Sequence, residues 1–354
     1  YSESERLSIS NEKYKIIGKV ISTYLQVLNP NTIIEMPQPF VLHLKESWIV
    51  GGKKRTPIFL DSKHRPILES CNSQINYLYG SGAIIKIFLS KIIYRKNMLQ
   101  NIINITGTMT NNSYHWLADY LPRLEYFCEK LKKEDYYLLI DNKPTKYQLE
   151  TLELFGIPSK KILRWTGGKT LCHNAFIPCM RYINHPSGIQ IYSINSMNWV
   201  RTKLLKSTED VPKKIKNIYI TRKKASSRNL LNENRFIDYL NQYNFECLCL
   251  EDLSAKEIIA KFRDSKIIIA VHGAALSHTL FSSNCKIIEI FPSNFTEKTN
   301  RNPTHLSLHP FFQISSLFKL NHFVYVVQGN ENFDINININ EFSHFFESKI
   351  LNLL

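Results

Sequence analysis

Apolar and polar positions follow two rhythms along the second half of this chain. Short, continuously apolar runs alternate with segments whose apolar positions recur every three or four residues. Ile218 to Thr221 is a β-rich run, Asn232 to Tyr243 carries a helical period, and Phe245 to Leu250 is strand-like again. Ser254, with Glu257 three residues on, makes a capping box that opens a helix to Arg263, and the apolar strand Ile267 to Val271 follows. A Gly-Ala-Ala turn leads into a further helix, and Lys286 to Phe291 supplies one more strand. Strands that are apolar throughout, rather than alternating, are those buried on both faces. The order therefore predicts an α/β fold, a parallel sheet covered by helices on both sides.

The first half is less regular but of the same class. Strand patterns at Asn101 to Thr106, Tyr136 to Ile140 and Lys161 to Arg164 alternate with helical ones at Ser113 to Lys132 and Lys146 to Phe155. Residues 208–216 are polar, charged and contain Pro212, which suits a linker. With 354 residues, two domains are expected, drawn at 1–207 and 208–330. A terminal segment, 331–354, reads as a strand over the alternation Asp334 to Asn340 followed by a helix, with the N-terminal domain as its packing partner.

Composition narrows the class. Hydrophobic residues at 44% and aromatics at 12% exclude a disordered or fibrous chain. Seven cysteines without a CxxC pair, Cys71 among them, encode neither a zinc site nor a disulfide framework and point to a reducing compartment. Lys86 and Lys91 interrupt the most apolar stretch, Ile84 to Tyr94, so no membrane span is predicted. The location expected is the cytoplasm, peripheral at the inner membrane face. A start at Tyr1 rather than Met leaves the alternative of a secretory-pathway lumen after loss of an N-terminal anchor.

The net charge of +15 favours anionic partners: nucleic acid, anionic lipid or a phosphorylated ligand. Its location says more. Residues 201–230 hold ten basic side chains against two acidic ones, over half of the excess. Arg222 follows the strand Ile218 to Thr221, where ligands of open parallel sheets bind, and Arg228 is close behind. Two arginines there can hold a diphosphate by bidentate bonds, although a solvated basic loop has the same composition. Val271-His272-Gly273-Ala274-Ala275-Leu276 follows the next strand, where small residues let the backbone approach a ligand and helix amides face its charge. Neither GxGxxG nor GxxxxGK[ST] is present, so a dinucleotide or P-loop site has no support. Glu289 closes a strand, a position from which carboxylates accept from ribose hydroxyls. Earlier, Leu117, Leu121, Leu124 and Cys128 form an apolar helical stripe, with His115 and Asp119 together on the opposite face, as a base and its orienting partner or as a solvated polar face with one local contact.

In order and spacing these pieces resemble glycosyltransferase family 61. The stretches are HWLADYLPRL, then YITRKKASSRNLLNE, then FECLCLEDLSAKEIIAKFRDSKIIIAVHGAALSHTLF, then KIIEIFP. The resemblance implies a GT-B architecture, two Rossmann-like domains facing across a cleft with the nucleotide sugar on the C-terminal one. It also implies inverting transfer with no cofactor and no obligatory metal. Carried over, Arg222 and Arg228 contact the donor diphosphate, His272, Gly273, Ala274 and Ala275 lie against it, and Glu289 holds the ribose. His115 and Asp119 face the acceptor, with Asp119 as base and His115 orienting it or exchanging roles. Two positions depart from the family pattern: Ala275 stands where Gly is common and His278 where Asn is usual.

The function expected is transfer of a sugar, from a UDP-sugar in the first instance, to a hydroxyl of a glycan or lipid-linked saccharide acceptor. The rivals are the same fold using a CMP-activated sugar and a non-catalytic nucleic-acid-binding protein. Tyr219 is the single aromatic of residues 201–230 and falls in a strand, which disfavours the last and leaves nucleic acid out of the expected partners. The charge outside this window makes an anionic membrane surface a further candidate partner.

Overall fold

The computed structural model describes residues 5–8, 33–53, 56–67, 99–184, 190–295 and 305–351; Tyr1, Cys71 and the stretch Ile84 to Tyr94 lie outside them. Two compact units divide the chain, one built around Pro37–Tyr182 and Asn195–Lys203, the other around Ile183–Ile194 and Leu204–Leu354. Strands β1 (Glu5–Ser8) and β2 (Ile33–Met36) pair in a two-stranded sheet.

The first unit contains a six-stranded mixed sheet made of β3 (Val41–Gly51), β4 (Ile58–Leu60), β5 (Leu99–Asn104), β6 (Tyr136–Ile140), β7 (Ile162–Arg164) and β8 (Gly168–Pro178), in the order β4-β3-β8-β5-β6-β7. Strands β8, β5, β6 and β7 run parallel, while β3 is antiparallel to both β8 and β4. The strands expected near residues 101, 136 and 161 are thus β5, β6 and β7. A small pair, β9 (Tyr182–Asn184) and β10 (Gln190–Tyr192), follows.

The second unit is the parallel sheet that the apolar runs predict. It contains β11 (Lys216–Ile220), β12 (Phe245–Leu248), β13 (Ser265–Val271), β14 (Lys286–Pro292) and β15 (Asn321–Val327), all parallel, in the order β12-β11-β13-β14-β15. The chain winds outward from β11 to β12, then returns past β11 to β13 and onward. The winding reverses between β11 and β13, and the carboxyl ends of those strands are where such sheets bind ligands. Ile267, Ile269, Val271, Ile288 and Ile290 face one side, packed on Phe236 and Leu240 of the helix Glu233–Asn241. By the two-residue period, Ile268, Ala270, Ile287 and Glu289 face the other. The capping box forms as predicted: Ser254 Oγ accepts from Glu257 N at 3.3 Å and Glu257 Oε2 accepts from Ser254 N at 2.8 Å. Among the described residues no helix is long and apolar enough to cross a membrane.

Three local expectations are corrected. Residues 208–216 are anchored to the second unit: the Arg263 guanidinium donates to Thr208 O at 2.5 Å and Val211 O at 3.1 Å, and Lys214 N donates to Asp264 Oδ2 at 2.9 Å. The alternation Asp334 to Asn340 makes no strand. Ile335 and Ile337 are buried as the period of two demands, but only isolated bridges form, at Leu230 and Gly329. The helix Ile339–Phe345 packs within the second unit, where the Phe342 ring meets Phe236 edge-on at 4.9 Å. Its apolar face matches the aromatic surface of the helix Glu233–Asn241, and that match overrides the expected return to the N-terminal domain.

Candidate functional site

In the second unit, the site is built at the carboxyl ends of β11 and β13. Beyond β11, Thr221 Oγ1 and Tyr219 OH both donate to Glu233 Oε1, at 2.7 and 2.8 Å, tying the strand end to the start of the next helix. Arg222 follows directly, and its Nη2 donates to Ser227 O at 3.0 Å. Its guanidinium lies across Gly273: a Cβ added there would meet Arg222 Nη1 at 2.3 Å. Gly273 has extended backbone, φ 167°, so glycine is needed for space rather than for conformation. The strand ends expected to hold one ligand are thus in contact.

Arg228 completes the basic arm. Its φ of 59° is left-handed, unusual for a side chain of this size. The segment 332–337 holds it there. Asp334 Oδ1 accepts from Asn229 N at 2.7 Å, Asn332 O accepts from Arg228 N at 3.4 Å, and Asn232 exchanges two bonds with the Ile337 backbone at 2.7 and 3.0 Å. The alternating isoleucines that read as a strand are therefore a clamp on the basic loop. The Arg228 guanidinium sits over the Phe295 ring at 4.7 Å, and its buried Nε has no hydrogen-bond partner. Burial and the neighbouring Arg222 charge pull Arg228 down to about 10. Among the described residues neither arginine forms an ion pair. Two cations held close, neither in an ion pair, can receive an anion.

His272 stands beside them, its ring 5.3 Å from Phe295 and 5.0 Å from Phe291. Its Nδ1 meets Glu289 Oε1 at 2.5 Å, and His322 Nε2 meets Glu289 Oε2 at 2.9 Å. Burial alone would raise the Glu289 carboxyl, but hydrogen bonds from the two imidazoles outweigh it and hold the group down at about 2. Burial lowers His272, which favours the neutral ring. An ionised carboxylate only accepts, so Nδ1 carries the proton and Nε2 is left with its lone pair. Glu289 does not end its strand. It lies inside β14, fully buried with both oxygens engaged, and so presents none to a ribose as expected; it holds His272 instead. His322, on β15, carries no signal in the sequence, because no spacing along the chain links it to Glu289.

The turn after Gly273 is a 3-10 helix over Ala274–Phe281 rather than an α-helix. Ser277 Oγ, His278 Nδ1 and Thr279 Oγ1 each donate to the carbonyl three residues back, at 2.7, 2.9 and 2.7 Å, which favours the tighter winding. Ala274 and Ala275 remain half-buried at its start. His278 turns inward against Phe262, ring centroids 5.3 Å apart, and burial takes it down to about 4.

In the first unit, the run after Asn112 is helical but broken. Asn112 Oδ1 caps it from Tyr114 N at 2.9 Å, and the chain then passes through a π turn, Trp116–Tyr120, and a 3-10 turn, Leu121–Leu124, that opens on Pro122. His115 Nδ1 and Asp119 Oδ2 meet at 2.6 Å, so the predicted pair forms. The stripe Leu117, Leu121, Leu124 and Cys128 is buried as expected, but the opposite flank is not a solvated face. Trp116 Nε1 donates to Thr151 Oγ1 at 2.8 Å and Tyr120 OH to Thr108 O at 2.7 Å, closing both sides of the π turn. Asp119 is left 7% exposed and His115 25%. The imidazole is therefore the accessible member of the pair.

The family model described as Glycosyltransferase 61 matches residues 113–288, a stretch that holds His115, Asp119, Arg222, Arg228 and His272 to Ala275 and stops one residue short of Glu289. No curated protein matches the chain.

Proposed function

From the premise that this chain belongs to glycosyltransferase family 61 and is a glycosyltransferase, we propose that it is a GT-B enzyme that moves a sugar, with inversion and without an obligatory metal, from a UDP-sugar to a hydroxyl of a glycan or lipid-linked acceptor. The observation that carries this reading is the pair Arg222 and Arg228, neither in an ion pair among the described residues and both at the winding reversal beside His272 and Gly273. Displacement at an anomeric carbon leaves a diphosphate whose charge must be met as it develops. The two guanidinium groups meet it by charge-assisted bonds. His272, with Nδ1–H fixed on Glu289, offers Nε2 to the same phosphates and takes up a proton as their charge approaches.

The acceptor hydroxyl must lose a proton in the same step. Exposure favours the exchanged assignment of the first pair. His115 takes the proton at Nε2, and Asp119, behind it at 2.6 Å, fixes the tautomer and stabilises the imidazolium. A π turn at this place fits a functional site, where such turns concentrate.

Thermal unfolding with UDP, GDP, dTDP and CMP tests the donor site. A ligand at one hundred times its Kd stabilises by about 2.7 kcal/mol, a shift of several degrees. UDP is expected to give the largest shift, and Arg222→Ala with Arg228→Ala to abolish it. A larger shift with CMP would move the donor to a monophosphate-activated sugar. Salt-sensitive oligonucleotide binding without any nucleotide shift would overturn the enzyme reading of this site. Once a donor is found, His115→Ala is expected to slow transfer by roughly 10²–10⁴-fold, the usual contribution of a general base.

A further inference from the structure

Glu289 has two oxygens and two imidazole partners, and only His272 enters the donor-site reading. Strand register brings both rings to it. Ala270 on β13 pairs with Glu289, and His272 lies two residues beyond Ala270. Val324 on β15 pairs with Glu289, and His322 lies two residues before Val324. Residues two apart share a face, so the histidines reach the carboxylate as diagonal neighbours from opposite sides.

His322 is as fully enclosed as Glu289, and its second nitrogen is also engaged. Nδ1 lies 2.8 Å from Ser315 Oγ, which in turn is 3.0 Å from Phe311 O. Nε2 faces the carboxylate and must donate. In the neutral ring Nδ1 accepts from the Ser315 hydroxyl; in the cation it donates, and Ser315 turns its own hydrogen to Phe311 O. In both states Oε2 of Glu289 keeps its donor. Without His322 that oxygen is buried and unpaired, a condition that favours the protonated acid and frees the proton of His272 to move to Nε2. Arg222 and Arg228 are the other charges acting on His272, and both disfavour a proton on it.

We propose that His322 is a positioning residue of the donor site: by holding Glu289 it keeps the His272 proton on Nδ1 and so leaves Nε2 for the donor phosphates. The proposal rests on the reading of Arg222, Arg228 and His272 as the donor site. Two readouts on the full chain separate them. Nitrogen-15 histidine spectra, with His272 assigned by its loss in His272→Gln, report its tautomer without any ligand. Titration with UDP reports the site.

His322→Gln keeps an N–H for Oε2 and is expected to retain the Nδ1–H signal of His272 and UDP affinity within about threefold of the unsubstituted chain. His322→Phe keeps the bulk and loses the donor; the expected result is loss of the tautomer signal and about tenfold weaker UDP binding, the scale of one hydrogen bond to a charged group. An unchanged His272 signal in His322→Phe overturns the proposal, as does an equal loss in both variants, which marks a packing role. Loss of UDP binding in Arg222→Ala with none in His322→Phe overturns this proposal alone. No loss in either variant overturns the donor-site reading, and the tautomer signal still decides the link between the histidines. Should His322→Phe fail to fold, His322→Gln decides: loss of the His272 signal there overturns the proposal.

Discussion

His115 and Asp119 lie four residues apart on one helical run, whereas His272, just past the end of β13, and Glu289, inside β14, are 17 residues apart. The first pair is made by local winding alone and keeps a quarter of its imidazole in solvent. The second exists only when β13, β14 and β15 are in register, and its carboxylate is closed off by a histidine on each side. An accessible ring on a hidden carboxylate suits exchange of a proton with a bound hydroxyl. A ring locked against a carboxylate that is itself locked suits holding a fixed donor geometry. An imidazole on a carboxylate thus suits different ends in the two places, and burial decides which.

The largest test of this contrast is removal of each carboxylate. Glu289→Ala leaves two buried imidazoles without their common acceptor and is expected to cost the second unit about 3–5 kcal/mol, the range for breaking a buried pair. Asp119→Ala leaves a partly solvated ring and is expected to cost the first unit about 1–3 kcal/mol. The four tryptophans, Trp48, Trp116, Trp165 and Trp199, all belong to the first unit, so their fluorescence follows its unfolding while far-ultraviolet circular dichroism follows both. In urea, Glu289→Ala should shift the dichroism transition more than the fluorescence one, and Asp119→Ala should shift fluorescence. Equal costs would erase the distinction drawn between the pairs.

Acid sharpens the same contrast. The second unit holds His278 neutral down to about 4, against 6.5 in the unfolded chain. Between those values the unfolded state binds the extra proton, so this stability is complete above pH 6.5 and is lost as pH falls toward 4, amounting to roughly 3 kcal/mol. Burial lowers His272 as well, which acts in the same direction. The Glu289 carboxyl is held below its usual value, so its contribution is present above about pH 4.5 and lost as pH falls toward 2. From pH 7 to pH 5, His278 alone should cost roughly 2 kcal/mol. His278→Asn, the residue usual at this position in the resembling family, should remove that part of the slope in urea unfolding followed by dichroism. A slope unchanged by the substitution would mean that the buried ring does not set it.

What the sequence shows of these sites follows from how each is made. Periodicity is a property of neighbouring residues, and so β11 to β14, the capping box at Ser254 and the His115–Asp119 pair could be read directly. Strand register is not such a property, so the sequence alone makes Glu289 a strand end and leaves His322 unmarked, although both lie on one face of the sheet. The alternation Asp334 to Asn340 was read as a strand because its period is two. Its isoleucines do alternate inward, but its backbone bonds go to the loop that carries Arg228 rather than to a sheet edge. The π turn at Trp116–Tyr120 escaped notice because a helical stripe constrains only the face that carries it.

The smallest expected effect on stability comes from a methyl group added at Gly273, and Gly107 supplies the contrast. At Gly107, a Cβ would meet the Tyr120 hydroxyl at 2.0 Å and ring carbons at 2.4 and 2.5 Å. That ring is buried and tied by its hydroxyl to Thr108 O, so it cannot give way; Gly107→Ala should cost the first unit about 1–3 kcal/mol, as overpacking does. At Gly273, the obstacle is Arg222 Nη1, the end of a long side chain with a single carbonyl partner at Ser227. Gly273→Ala should therefore cost the second unit less than Gly107→Ala costs the first, about 1 kcal/mol or under, because the flexible end of Arg222 can swing aside. The displaced guanidinium would then no longer face the phosphates, and UDP binding should weaken about tenfold, the loss of roughly one charge-assisted bond. Calorimetric titration with UDP beside urea unfolding checks both halves. If Gly273→Ala unfolds the second unit and spares UDP affinity in the folded fraction, Arg222 is a packing residue, and the claim that this end of the sheet is open for a ligand fails with it.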